Sequence, residues 1–337
     1  MICKQKNLKF IWLVMLLILV GMFFVSLYGG RYFIPPGEVG EILSAGLRGG
    51  VPDSIAGSVV WNLRLPRALL NALVGAGLAV AGASFQGVFK NPLVSPDVLG
   101  VSSGAAFGAA FGILLSGINQ IATVLALVFG ILSVLMTYTL SKLRGESSTL
   151  ALVLSGMIIS AVFSALISLI KYVADPYDKL PAITYWLMGS FASASYSDLK
   201  LVGVPILAGI IGLLLLRWRI NVLSLGDEEA YSLGVNPVRM RLTVIAMATF
   251  ITAACVTVTG IIGWVGLVIP HICRMIVGED HKNLLPASCI VGAIFMIMVD
   301  MIARTATAAE IPIGILTALV GAPFFALLFK TSKGDWQ

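Results

Sequence analysis

Apolar residues in this chain run in long unbroken blocks rather than in alternation. The blocks fall at 10–28, 67–89, 98–116, 119–140, 150–172, 201–217, 242–262, 264–277, 285–303 and 312–329. About 20 consecutive apolar residues make a helix long enough to cross the hydrocarbon of a bilayer. A membrane β-barrel would instead need strict alternation along each strand. The pattern predicts an all-α membrane protein of about ten transmembrane helices, forming a single domain over residues 1–337. Gly260, Gly263, Gly266 and Pro270 interrupt the stretch 242–277, which reads as one broken span or two short ones. The first block is longer than the core of a secretory signal and ends in Ser26-Leu27-Tyr28, so it is expected to be a retained span.

Composition agrees with this pattern. Apolar residues make up 58% of the chain and charged residues 11%, far from the roughly 25% charged of a soluble domain. The net charge of +6, from 22 basic and 16 acidic residues, is too dispersed for a nucleic-acid footprint. It does carry topological information, because basic residues concentrate in cytoplasmic loops. Ten spans with both termini cytoplasmic leave 14 of the 22 basic residues inside and eight outside. Arg31, Arg48, Arg64 and Arg67 crowd one outer loop against that bias. Cys3, Cys255, Cys273 and Cys289 form no CxxC pattern, and no metal site is expected.

Small residues point to close helix packing. Gly104, Gly108 and Gly112 repeat every four residues along one helix face, and such faces let backbones approach in lipid. Gly82, Pro92 and Gly100 recur as Gly260, Pro270 and Gly278 at a constant offset of 178 (260−82, 270−92, 278−100), a faint sign of an inverted repeat.

Several segments hold candidate chemistry. Between the sixth and seventh blocks, residues 224–240 are expected to form two short cytoplasmic helices joined by an elbow. Asp227, Glu228 and Glu229 suit a helix N-terminus. Gly234 is a natural helix stop, and Asn236-Pro237 is a cap followed by a first helical residue. Such a pair suggests a docking element. Arg64 and Arg67 at the outer start of the second span, with Arg304 at the outer end of the ninth, are candidates for binding an acidic partner. Asp300 precedes Arg304 by four residues, a spacing that favours an ion pair between them. Glu146-Ser147-Ser148-Thr149 is a candidate inner gate or a helix cap, and Ser160, Ser164 and Ser168 line up along the fifth span.

Gly100-Val101-Ser102-Ser103-Gly104 matches the GxSxG pattern of serine hydrolases, but that nucleophile needs a strand-turn-helix setting. An intramembrane serine hydrolase is the alternative from another class, with His271 as the sole histidine inside a span. No GxxxxGK[ST] and no HExxH occur, so neither a P-loop nor a catalytic zinc site is expected, nor any other cofactor. The acids Asp97, Asp300 and Glu310 all lie near span ends, whereas ion-coupled carriers place carboxylates near the midplane.

Together these segments resemble the FecCD-type permeases, the membrane subunits of type II ABC importers. The resemblance rests on Leu63-Arg64-Leu65-Pro66-Arg67, Gly82 to Gln86, Asn91-Pro92-Leu93 and Pro96 to Gly104. It continues through Leu225-Gly226-Asp227, Ala230, Leu233-Gly234-Val235, Gly263 to His271 and Arg274, then Asp300 to Arg304, Glu310 to Gly314 and Gly321 to Phe324. The resemblance implies a homodimer in a bacterial or archaeal plasma membrane, with two separate ATPase subunits and an extracytoplasmic substrate-binding protein. Under it, the permease is not itself an enzyme. Gly226, Asp227, Glu228, Glu229, Ala230, Leu233 and Gly234 would couple to the ATPase, and Arg64, Arg67 and Arg304 would dock the binding protein. The expected cargo is a metal chelate (ferric siderophore, haem or cobalamin), with molybdate or tungstate as the alternative.

Overall fold

The computed structural model describes residues 2–50, 53–142 and 149–331, of which every regular element is helical. Thirteen helices follow in order: α1 Ile2–Tyr28, α2 Pro36–Leu47, α3 Ile55–Phe89, α4 Val101–Ser116, α5 Gln120–Lys142, α6 Thr149–Val173 and α7 Lys179–Leu187. Then come α8 Tyr196–Leu225, α9 Asp227–Ser232, α10 Pro237–Thr259, α11 Val265–Val277, α12 His281–Thr305 and α13 Ile313–Thr331. A helix coincides with each of the ten apolar blocks. Seven of these helices are long and apolar enough to cross a membrane, while Val101–Ser116, Val265–Val277 and Ile313–Leu327 are shorter.

Boundaries differ from the apolar blocks where caps, not hydropathy, end the helix. The block at 201 begins as a helix at Tyr196, because Ser195 accepts from the Asp198 amide at 3.3 Å while its own amide donates to the Asp198 carboxylate at 3.0 Å. Such a capping box satisfies two amides that a helix start otherwise leaves without partners. The block at 67 begins at Ile55, with a widened turn over Val59–Arg64 that turns Arg64 into the protein. The stretch 242–277 proves to be two helices. Gly260 (φ 70°) and Trp264 (φ 71°) both take left-handed backbone between them. Three helices lie outside the ten blocks: α2, α7 and the expected elbow helix α9.

The core is built around α3, which is buried from Val74 to Phe89. Glycine makes that possible. A Cβ on Gly75 would lie 2.2 Å from the Gly292 carbonyl of α12, and one on Gly82 would lie 1.9 Å from the Gly266 carbonyl of α11. Along α4, Cβ atoms on Gly104, Gly108 and Gly112 would meet α5 backbone at 2.4, 2.1 and 2.4 Å. Without a hydrophobic drive between helices in lipid, such backbone contact supplies the dispersion energy of association. The four-residue glycine face is therefore a packing face.

The offset of 178 does not survive as a structural repeat. Gly82 sits inside a helix while Gly260 ends one, and Pro92 lies in a connection while Pro270 lies inside α11. Gly100 and Gly278 share a φ of 84° but not a conformation, with ψ 8° and −173°.

Candidate functional site

At the end that the basic-residue bias predicts to be the outer one, α1, α3, α12 and the segment 306–312 meet on a cluster of arginines. Arg67 of α3 donates from Nε to Asp300 at 3.0 Å and from Nη2 to Asp300 and Glu310, each at 2.8 Å. Arg304 lies 3.6 Å from Asp300, the ion pair that their four-residue spacing favours, and donates to the Ser26 carbonyl at 2.5 Å. Arg64 donates to the carbonyls of Leu27 at 2.8 Å, Tyr28 at 3.1 Å and Tyr32 at 2.5 Å. The structure thus brings Arg64, Arg67 and Arg304 together, as a docking surface requires, but Arg64 and Arg304 are buried at 7% and 8% exposure. They are not the open row of charges that the sequence suggests. They tie the end of α1 to α3 and α12, and reach the outside only through a cleft of about 180 Å³ shared with Arg31 and Glu310.

Glu310 lies outside the spans, and its titration follows from this setting. Burial alone would raise its pKa. The hydrogen bonds and charge of Arg67, with the charges of Arg31 and Arg304, outweigh burial and hold the carboxyl below its ordinary value.

At the inner end, the elbow differs from expectation in one respect. Asp227–Ser232 is a short helix, but the second expected helix is the start of α10, which runs from Pro237 to Thr259 without a break. The reason is that Asn236 caps α10, accepting from the Arg239 amide at 3.0 Å, and nothing downstream stops it. Helix α9 ends as a Schellman motif: the Val235 amide donates to Ala230 O at 2.8 Å and the Gly234 amide to Tyr231 O at 3.0 Å. Gly234 takes φ 76°, which suits glycine, and Ala230 and Val235 are the buried apolar contact of the motif. The opposite side of α9 is open: Asp227, Glu228 and Glu229 are exposed, as are Tyr231 at 57% and Leu233 at 51%. Asp227 also pairs with Arg241.

Between the two ends, the α10–α11 break, the end of α7 and helix α13 surround an open hollow of about 510 Å³. Its walls are Leu187, Met188, Ile261, Gly263, Trp264, Gly314, Ile315, Ala318 and Leu319, with no charged side chain. Backbone bonds hold the irregular segments in place: Ser190 N to Thr259 O at 2.8 Å and Gly314 N to Met188 O at 3.0 Å. Trp264 is seated over Gly321, where a Cβ would come within 2.6 Å of it. The serine row of α6 does not line this hollow. Ser164 and Ser168 are exposed, whereas Ser160 Oγ packs 3.2 Å from a Cβ built on Gly100. Ser160 is thus packed toward the turn before α4 while Ser164 and Ser168 face outward, so the three do not share one environment. Ser147 and Ser148, and the side chain of Thr149, lie outside the described residues.

The FecCD transport family matches this chain over residues 16–331. The chain belongs to the FecCD family. It is 43% identical over 319 residues to the molybdate import system permease protein MolB of Haemophilus influenzae, covering 94% of this chain and 95% of that one. A Helicobacter pylori protein named "Probable iron chelatin transport system permease protein" is 43% identical over 274 residues, 81% of this chain and 83% of that one. Among solved structures, an inward-facing conformation assigned to the metal-chelate type of ABC transporter superposes with TM-score 0.86. It is 42% identical and covers 96% of this chain and 99% of its own.

As a FecCD permease, the chain is a multi-pass membrane subunit of an ABC importer and not an enzyme, and ATP hydrolysis belongs to separate subunits. Ser102 agrees with that. It lies in the first turn of α4, with no strand among the described residues, and its hydroxyl donates to Asp97. Burial pushes the Asp97 carboxyl up, against the hydrogen bonds of Ser102 and Ser95. Ser102 is thus one half of a loop-to-helix clasp. The hollow around Trp264 was not foreseen as a site. Its signal was the glycine-interrupted stretch 260–266, since unwound helix at membrane depth is tolerated where it lines a cavity.

Proposed function

We propose that this FecCD permease works as a homodimer of ten-span subunits, with both termini cytoplasmic, in a bacterial or archaeal plasma membrane. Its partners are two ATPase subunits inside and a substrate-binding protein outside, and its cargo is a metal chelate such as a ferric siderophore, haem or cobalamin. The observation that carries the cargo assignment is the hollow of about 510 Å³ walled by Leu, Ile, Met, Trp and bare glycine backbone. A large chelate presents an organic surface that passes such walls without losing a strong hydration shell. A hydrated oxyanion would have to shed water there against walls whose one side-chain donor is the Trp264 indole, with no cation to replace the hydration. No group of three or more His, Cys, Asp or Glu among the described residues could hold the metal, which suits a cargo that arrives already ligated.

The elbow supplies the coupling surface in this reading. Gly226 and Gly234 set its two bends, Ala230 pins it to the bundle, and Asp227, Glu228, Glu229 and Leu233 face the ATPase. On the outside, a carboxylate of the binding protein enters the cleft of Arg64, Arg67 and Arg304 and takes the place of Glu310 on Arg67. Ser164 and Ser168 face the two-fold pathway from α6, and Ser147 to Thr149 gate its inner mouth.

Molybdate or tungstate is the second reading, favoured by the nearly full-length likeness to the Haemophilus influenzae permease. The two separate in one experiment. The permease is reconstituted with its ATPase and binding protein, and ATP-dependent uptake of ferric hydroxamate, haem, cyanocobalamin and molybdate is measured. Accumulation of a chelate without molybdate is the expected result, and uptake of molybdate alone would overturn it.

A further inference from the structure

Four arginines stand at the inner ends of α8 and α10: Arg217, Arg219, Arg239 and Arg241. Two are engaged within the chain. Arg217 donates to the Lys282 carbonyl at 3.1 Å, and Arg241 pairs with Asp227. The other two, Arg219 and Arg239, have exposed side chains with no hydrogen bond or ion pair among the described residues. They come from different helices and line the same cleft of about 240 Å³. Nothing acidic shares that lining. Asn236 brings an amide whose oxygen is taken by the Arg239 backbone, leaving its N–H₂ as a donor. The Thr243 hydroxyl already donates to the Arg239 carbonyl, so it remains able to accept only. The N-terminus of the 23-residue helix α10 adds its positive end to the same place.

Two guanidiniums lining one cleft, with a helix N-terminus and no counter-charge in that lining, call for an anion. The surroundings say which kind. The apolar run of α8 ends at Leu216, and the helix continues nine residues further to Leu225, so Arg219 stands where hydrocarbon gives way to headgroups. Leu215, 78% exposed, and Trp218, 47% exposed, flank it on the outer surface of α8, as apolar and interfacial aromatic residues do against lipid. Basic pockets between transmembrane helices at this depth are receptors for lipid phosphates.

We propose that Arg219 and Arg239 clamp the phosphate of an anionic phospholipid, whose acyl chains lie along Leu215 and Trp218. The clamp also touches the elbow, because Gly234, Val235 and Asn236 form the far wall of the cleft. A bound headgroup would therefore brace the turn between α9 and α10. The inference rests on the membrane placement of the bundle and is independent of the cargo and of ATPase docking.

The test uses the intact transporter complex, purified in mild detergent and titrated with phosphatidylglycerol or phosphatidylcholine while bound lipid is counted by native mass spectrometry. Phosphatidylglycerol is expected to saturate at tight sites that phosphatidylcholine does not fill. Each basic residue near an anionic surface contributes roughly fivefold to binding. Arg219→Gln with Arg239→Gln together should therefore weaken phosphatidylglycerol about 25-fold, while Arg219→Lys with Arg239→Lys keeps most of it. An Arg48→Gln variant at the opposite end of the molecule should change nothing. Equal binding of the two lipids by the unaltered complex would overturn the proposal, and that reading does not depend on how well a variant folds. So would a double Gln variant that keeps its lipid but loses the ATPase subunits, since the cleft would then be an ATPase contact. Displacement by inorganic phosphate at millimolar concentration, with no preference for the lipid, would show a free-anion site and also overturn it.

Discussion

The two ends of this bundle use the same residue type in opposite ways. At the outer end, Arg64, Arg67 and Arg304 are drawn inward onto four carbonyls at and just after the end of α1 and onto two carboxylates, and of the three only Arg304 leaves a buried nitrogen, Nε, without a hydrogen bond, 3.6 Å from Asp300. At the inner end, Arg219 and Arg239 stay exposed without partners, beside an acidic helix that is itself exposed. Buried arginine must be matched group by group, because an unmatched charge away from water is very unfavourable. An exposed arginine needs no internal match and remains available. The outer end is therefore a brace between α1, α3 and α12, and the inner end is a surface.

Removing the shared acceptor of the outer brace is expected to have the largest effect. Asp300 is 3% exposed and serves both Arg67 and Arg304. Replacing it with Ala leaves the buried Arg304 without its paired carboxylate and Arg67 with Glu310 alone, and breaking a buried pair in this way destabilises by about 3–5 kcal/mol. Thermal unfolding in detergent should show a large drop for Asp300→Ala and a negligible one for Arg239→Gln. Equal drops would mean that the two ends do not differ as described.

How much of this contrast could be read in the sequence depends on the kind of signal. The all-helical class, a helix at each apolar block and the glycine face of α4 are legible, because they rest on hydropathy and on residues without side chains. The pairing of Asp300 with Arg304 was legible from spacing alone. Burial of Arg64 was not. It depends on the widened turn at Val59–Arg64 and on where the end of α1 lies, neither of which leaves a local mark in the sequence. The elbow is half legible: its caps and stops are local, but a cap starts a helix without saying how far it runs, and the length of α10 has no local signal at Asn236. The three residues of the Ser160 row were legible as a spacing and misleading as a face.

An intermediate effect is expected at Gly234. Its φ of 76° disfavours a β-branched residue, although a Cβ there would meet nothing within 4 Å. The disturbance is thus conformational strain of about 1–2 kcal/mol, confined to the turn after α9. Gly234→Val should leave global unfolding nearly unchanged while lowering transport per ATP hydrolysed. Gly234→Asn, which tolerates this backbone region, should recover most of the coupling. A Val variant that transports normally would reduce the elbow to a connection.

The smallest effect is the pH dependence of the outer brace through Glu310. Its folded pKa lies below the ordinary value, so the unfolded chain binds its proton more readily as the pH falls. The stabilisation is therefore present in full above the ordinary carboxylate value of about 4.3 and is lost as the pH drops through the lower, folded value. The Glu310 side chain is 34% exposed, so solvent screens the pair and the contribution stays under about 1 kcal/mol. Unfolding temperatures of the parent and Glu310→Gln should differ slightly at pH 6, and the difference should shrink as the pH is lowered below the ordinary carboxylate value. The neutral amide keeps the shape but not the charge, so a difference that does not change with pH would assign the effect to packing. It would also remove Glu310 from the charge-matched set that distinguishes the outer end from the inner one.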